Sequence, residues 1–371
     1  MQLSGLAELY ERPGPFLTAY LSPGAPDADA AKQLELRWRA LADEARAQGA
    51  DEATVEAVGG LLAARTSGAQ AVGGAVVVAT GGDVVYDAPL HGPVGRDAVR
   101  WSRLPDLAPA VRANAVSRHS LVAVIDRAGA DLRIQDVSGA YQQEREVVGQ
   151  DGGPLHKVPG GGWSHKRWQN AVDEAVGHNA TQIAEEIQRL AARTRPAAIV
   201  LAGGVEARET VRRKLGPALE PLVSVTDHGG RDSEDDDHLR QAVVDIAAKT
   251  EHEVRSRLLD RFGEGRPAGL AVQGLELVVE AGRQGAIDVL LLAVDNVDAG
   301  LPPEAARAEA TVTPDGMAPG APPSEQLVDL ADAIAVRAGA LNSATAEVVY
   351  TDEAELTDGL GALLRFPLPS A

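Results

Sequence analysis

Trp168, Val172, Val176, Ile183, Ile187 and Leu190 recur at near-ideal helical spacing. That stripe commits the chain from about His165 to Arg193 to one amphipathic helix. Such a helix is about 40 Å long at 1.5 Å per residue. Asn179 stands in the stripe where an apolar residue is expected. The helix follows directly on Gly160-Gly161-Gly162, so it reads as a rigid arm that holds a glycine loop at the far end of a domain.

Around this arm, short apolar runs alternate with helical patterns. Phe16 to Leu21, Ser120 to Asp126, Ala197 to Ala202 and Ile287 to Ala293 read as strands. Ala130 to Val137 alternates with period two, as a half-exposed strand does. Val72 to Thr80, then Gly81-Gly82-Asp83 and Val84-Val85-Tyr86, is a hairpin signal. Helical patterns cover about Ala28 to Gln48, Glu52 to Arg65, Glu206 to Leu215, His238 to Phe262 and Glu325 to Ala340. Val272, Leu275, Val279 and Ala281 read as one further helix, which Gly285-Ala286 turns into a strand. Pro105 to Pro109 reads as a linker or domain edge, and residues 299–324 as a Pro-, Ala- and Gly-rich insertion. The alternation implies α/β domains. Three are expected: an N-terminal α/β domain over 1–115, a middle domain carrying the glycine loop over 116–235, and a C-terminal α/β domain over 236–371.

Charge decides what this surface can bind. The formal net charge is -19, which argues against wrapping nucleic acid with the whole surface. Only five residues are lysine, and two of these, Lys157 and Lys166, flank the glycine loop. From Pro154 to Val172 no acid occurs, while Lys157, Lys166, Arg167, His156 and His165 do. An acidic body with one basic, aromatic tip is compatible with a local RNA contact. The chain has no cysteine, which excludes disulfides, thiolate metal sites and a cysteine nucleophile. No apolar run reaches the ~20 residues of a membrane span. No signal-peptide pattern opens the chain, and a cytoplasmic protein is expected.

Successive glycines let a backbone approach a ligand with no Cβ in the way. Trp163 at the tip has an indole N–H that donates a hydrogen bond and cannot accept one. Its ring can stack on a base, worth ~1–3 kcal/mol. Ser164 and His165 are adjacent on a helix and do not face each other, which argues against a nucleophile–base pair. Asp227 to His238 holds two histidines and many carboxylates, but a run with so much repulsion reads as a solvated loop capping the next helix at Asp236 or Asp237. Gly203-Gly204-Val205-Glu206 lacks the phosphate-loop lysine and the dinucleotide glycine spacing, so it reads as a tight turn. Neither a metal nor a cofactor is expected.

Gly161-Gly162-Trp163-Ser164, then Arg167, Trp168 and, along the same helix, His178-Asn179, resemble the Gly-Gly-Gln-Ser, arginine, phenylalanine and histidine-asparagine order of the archaeo-eukaryotic class-I release factors and Pelota. Ile199 to Gly203 is similar to a strand-plus-glycine of that family's middle domain. Leu277 to Ala293 and Gly361 to Phe366 are similar to parts of its third domain. The resemblance covers about residues 120 to 371. It is closest to the family's bacterial branch, which includes actinobacterial members and Balon-like ribosome hibernation factors. It implies an RNase H-like middle domain and a C-terminal domain of the kink-turn-binding ribosomal-protein fold.

It further implies a place in the ribosomal A site, beside elongation factor Tu in hibernating complexes, with rRNA of the peptidyl transferase centre and P-site tRNA as contacts. Lys157, Gly160, Gly161, Gly162, Trp163, Ser164, His165, Lys166 and Arg167 are then the RNA-binding residues. The first segment lacks Asn-Ile-Lys-Ser, so stop-codon reading is not carried over. In the family the loop's glutamine helps place water and backbone amides stabilise developing charge. With Trp163 in the glutamine's place, the expected function is A-site occupancy in hibernation or rescue under stress. Peptidyl-tRNA hydrolysis by the backbone amides is the alternative, and a scaffold binding proteins through its acidic face a third reading.

Overall fold

A computed structural model describes all residues except 23–29, 67–73, 91–95, 117–118, 136–140, 149–162, 195, 232–235, 295–329 and 370–371. The chain divides into two compact units. One joins Met1–Ser117 with Arg257–Ala371, and the other is Arg118–Ser256.

The first segment holds α1 (Ala7–Tyr10), β1 (Phe16–Leu21), α2 (Ala30–Ala47), α3 (Glu52–Thr66), β2 (Ala75–Thr80), β3 (Asp83–Pro89), β4 (Ala98–Ser102) and α4 (Ala108–Val116). Its sheet has the order β3-β2-β1-β4, antiparallel throughout. Leu17, Ala19, Leu21, Val77 and Ala79 point to one face, where Leu34, Leu41, Val55, Val58 and Leu62 of α2 and α3 cover them. The expected linker at Pro105 to Pro109 is only partly one, because α4 begins at Ala108. Pro109 lies in the first turn, where a missing N–H breaks no helical bond. Residues 105–107 are pinned before it: the Tyr20 hydroxyl donates to the Asp106 carbonyl (2.6 Å), and the Asp106 N–H donates to Thr18 Oγ1 (3.0 Å).

The middle segment holds β5 (Ser120–Ile125), β6 (Gly129–Gln135), β7 (Tyr141–Val148), α5 (Trp163–Thr194), β8 (Ala198–Gly203), α6 (Val205–Arg212), β9 (Val223–Val225) and α7 (Asp236–Gly265). Its sheet order is β7-β6-β5-β8-β9. β5, β8 and β9 run parallel, and β6 and β7 antiparallel to their neighbours. α5 and α6 bury one face of the sheet through Ile183, Ile187, Leu190, Ala207 and Val211. Leu239 and Val243 of α7 cover Val122, Val124, Val200 and Ala202 on the other. The boundary between the two units falls within α7.

The last segment holds β10 (Ala271–Gln273), α8 (Leu275–Arg283), β11 (Ile287–Val294), α9 (Ala331–Leu341), β12 (Thr345–Tyr350) and β13 (Leu360–Leu364), in the sheet order β10-β13-β11-β12. Val272 and Leu275, expected in one helix, are separated: Val272 is in β10, and the chain turns at Gly274 (φ 86°) before α8. The Asp358 carboxylate accepts the Leu275 N–H (3.0 Å), so α8 is capped from a distant loop. Leu3, Leu6, Leu9, Tyr10 and Leu107 share one core with Val278, Leu290, Ile334 and Val336, which binds the first and last segments together. Beside it, Arg112 Nη1 donates to Asp332 Oδ2 (2.6 Å) and Nε to the Ala293 carbonyl (3.2 Å), with both charged side chains buried. The architecture of the described residues is mixed α/β with three sheets. Among the described residues no helix is long and apolar enough to cross a membrane.

Candidate functional site

β5 and β8 are adjacent and parallel, so α5, which returns the chain between them, runs antiparallel to both. Its buried face extends from Asn179 and Ala180 to Leu190 and Ala191. The out-of-place Asn179 has a specific partner. Its Nδ2 donates to the Arg127 carbonyl (3.1 Å), in the turn that follows β5. That bond places Asn179 at the carboxyl end of β5. The neighbouring His178 is exposed. The helix continues without a break from Asn179 back to Trp163, about 24 Å along its axis at 1.5 Å per residue.

The strand ends beside this anchor are fixed by backbone and charge. Gly203 has φ 92°, and a Cβ there would lie 2.1 Å from the Ile125 carbonyl oxygen. Only glycine serves in both respects. Gly204 N–H donates to the same carbonyl (2.9 Å), tying the end of β8 to that of β5 and opening α6. Asp126 Oδ1 accepts from the N–H groups of Ala128 (2.7 Å) and Gly129 (2.8 Å), which closes the β5–β6 turn. Arg231 reaches Asp126 (3.3 Å) and Asp131 (3.2 Å). Burial works against the charged form of Arg231, but the two carboxylates outweigh it and raise the pKa. Arg127 pairs with Glu206 (2.8 Å), and Arg208 with the Asp227 carboxylate and the Thr226 carbonyl. Each of these arginines has an acid partner, so their charge is used inside the domain.

Gly160, Gly161, Gly162 and Lys157 lie outside the described residues. Trp163, Ser164, His165, Lys166 and Arg167 form the opening turns of α5, so the expected helix starts two positions earlier than its stripe indicates. The helix thus brings five of the nine expected RNA-binding residues into one continuous segment. In the acidic run, Asp236 opens α7, Asp227 holds Arg208, and the rings of His228 and His238 stack with centroids 6.2 Å apart. Among the described residues, no group of three or more His, Asp or Glu side chains is arranged to hold a metal ion. The Asp126–Arg231–Asp131 cluster was not expected. Its members are far apart in sequence, and the only local signal is the turn-forming Asp126 before Gly129.

Residues 119–267 match the family described as bacterial archaeo-eukaryotic release factor family 2. Two uncharacterized proteins from strains of Mycobacterium tuberculosis, MT2704 and Rv2629, are each 25% identical to this chain, with 99% of the chain and 97% of the relative covered. Among solved structures, Dom34 of S. cerevisiae, a translation termination-like factor, is similar at 13% identity and a TM-score of 0.41, covering 82% of this chain and 78% of that one. Ribosome-bound archaeal Pelota is similar at 16% identity and a TM-score of 0.34, covering 99% and 95%. The archaeal termination factor aRF1 is similar at 16% identity and a TM-score of 0.24, covering 98% and 97%. Through the segment 119–267, whose sheet and long helix form the site described above, this chain is similar to the bacterial archaeo-eukaryotic release factor family.

Proposed function

We propose that this protein is a cytoplasmic ribosome-binding translation factor that occupies the A site in hibernation or rescue under stress, without reading a codon. The observation that carries this reading is α5: one unbroken helix, anchored at Asn179, that opens at Trp163 right after the glycine run. The acid-free stretch Pro154 to Val172 spans that loop and the start of the helix, and it stands out from a chain of net charge -19. That charge pattern supports a local contact with RNA, and the release factor resemblance implies rRNA of the peptidyl transferase centre, P-site tRNA and elongation factor Tu as the partners. Trp163 offers a ring to stack and one N–H to donate, but no acceptor to position water, so occupancy rather than hydrolysis is the expected outcome.

Sedimentation tests the reading. Extracts of starved and hypoxic cells, run on sucrose gradients, should carry the protein with ribosomes. Its confinement to ribosome-free fractions in both states would refute the proposal. The alternative, a peptidyl-tRNA hydrolase, is favoured by retention of Gly161 and Gly162. It predicts ester hydrolysis by the wild type on ribosomes loaded with peptidyl-tRNA. Inactive wild type with activity gained in Trp163→Gln would decide for occupancy.

A further inference from the structure

The point where α5 leaves the sheet has an unusual local chemistry. From Asn179 onward the helix offers Ala180, Ile183, Ile187 and Leu190 to the core, and Asn179 Nδ2 holds the Arg127 carbonyl (3.1 Å). Just before this clamp, Val176 and Gly177 are half-buried and His178 is exposed. An unfilled gap remains under the same turn, among Val176, Ile125, Asp126, Ala207 and Val211. The side chains around it forgo contacts there, so Val176 is not locked as the residues after Asn179 are.

Gly177 itself lacks the usual reason for a glycine inside a helix. Glycine is the poorest helix former after proline, because its backbone has the most freedom to lose. Elsewhere in the chain close packing requires it. In α8 a Cβ at Gly282 would lie 2.7 Å from Ala338 Cβ, and in α9 one at Gly339 would lie 2.8 Å from Leu3 Cδ1. Among the described residues, a Cβ at Gly177 would meet nothing within 4 Å. Gly60 of α3 and Gly263 of α7 share that open space. Buried Val58 and Leu62 flank the first, however, and buried Phe262 and Gly265 the second, so both sides of each are held. At Gly177 only the later side is clamped. The Thr181 hydroxyl also donates to the Gly177 carbonyl (3.0 Å), the acceptor that the helical ladder assigns to the Thr181 N–H. Such a back-bond weakens the ladder locally and bends helices.

We propose that Gly177 is the pivot of α5, about which the outer rod from Trp163 to Val176 swings as one piece while Asn179 holds the inner part on the sheet. The use of the swing, to let the tip find its contact, rests on the function proposed above. The swing itself is a property of the free protein.

Distances between spin labels test it. The chain has no cysteine, so two introduced ones carry the only labels. Lys166 lies eleven positions before Gly177. That is about 16 Å along the helix, so a bend of about 20° moves Lys166 by about 6 Å. Val205, at the exposed start of α6, and Glu185, exposed on the packed part of α5, complete the set, and all three lie in the unit Arg118–Ser256. Pulsed electron resonance on Lys166→Cys with Val205→Cys should give a distance distribution several ångströms broader than Glu185→Cys with Val205→Cys. Gly177→Ala fits the open space and should narrow the outer distribution to the width of the inner one, without lowering the melting temperature. Thr181→Val should narrow it in part. Two results would overturn the proposal: an outer distribution as narrow as the inner one in the otherwise wild-type chain, or a broad one that Gly177→Ala leaves unchanged, as simple fraying of the helix start would. Co-sedimentation with ribosomes reads the proposed function instead, so either idea can fail without the other.

Discussion

Asn179 and Gly203 show how much of the middle segment's geometry rests on single residues. Each breaks a local pattern, and each answers to a backbone carbonyl at the end of β5: Asn179 donates to Arg127, and Gly203 leaves room for Ile125. In the other unit the comparable residues are Arg112 and Asp332, a buried pair that joins α4 to α9. Removing one partner of such a pair strands a buried charge, which costs ~3–5 kcal/mol, whereas replacing both with apolar residues of similar size costs far less. Asp332→Ala should therefore lower the urea midpoint sharply, and Arg112→Met combined with Asp332→Leu should recover most of the loss. Equal midpoints for the single and double variants would contradict this.

At the scale of an element, α5 has two parts with different physics. From Asn179 onward its apolar face is buried against the sheet, and that packing stabilises it. The part from Trp163 to Gly177 extends about 24 Å beyond the anchor and carries the residues expected to meet RNA. A proline at Ala171 removes a helical hydrogen bond and clashes with the preceding turn, at a local cost of ~3 kcal/mol. Ala171→Pro should thus leave the melting temperature within a few degrees of wild type while abolishing co-sedimentation with ribosomes. Retained ribosome binding would show that the tip works without a straight support. Elements outside α5 obey the same rule that packing outranks local signal. β9 is three residues long and exists because it pairs with β8, and α8 starts where Asp358 caps it rather than where its apolar spacing begins.

For the molecule as a whole, charge is the governing property. A body of net charge -19 is repelled by RNA, so on the proposed function binding falls to the few cations of the tip. Lys157, Lys166 and Arg167 are those cations. Each phosphate neutralised contributes about -0.7 to -0.9 to the slope of log K against log salt, so ribosome binding should show a slope near -2 to -3. Binding measured across a potassium chloride series checks this. A slope of about -6 or steeper would mean that a second basic surface takes part.

The buried strands and the long helix were legible from residue order, because an apolar run or a 3.6-residue stripe is a local property of the chain. The glycine run, its basic flanks and the release factor resemblance are local properties of residue order too, although the expected loop itself lies outside the described residues. The role of Asn179 was not, nor were α4 beginning within a proline-rich stretch, the Asp126–Arg231–Asp131 cluster and the core shared by the first and last segments. Each depends on a partner far away in the chain. Burial and hydrogen bonding are satisfied in space, and periodicity records only which face of an element is apolar, never what lies against it.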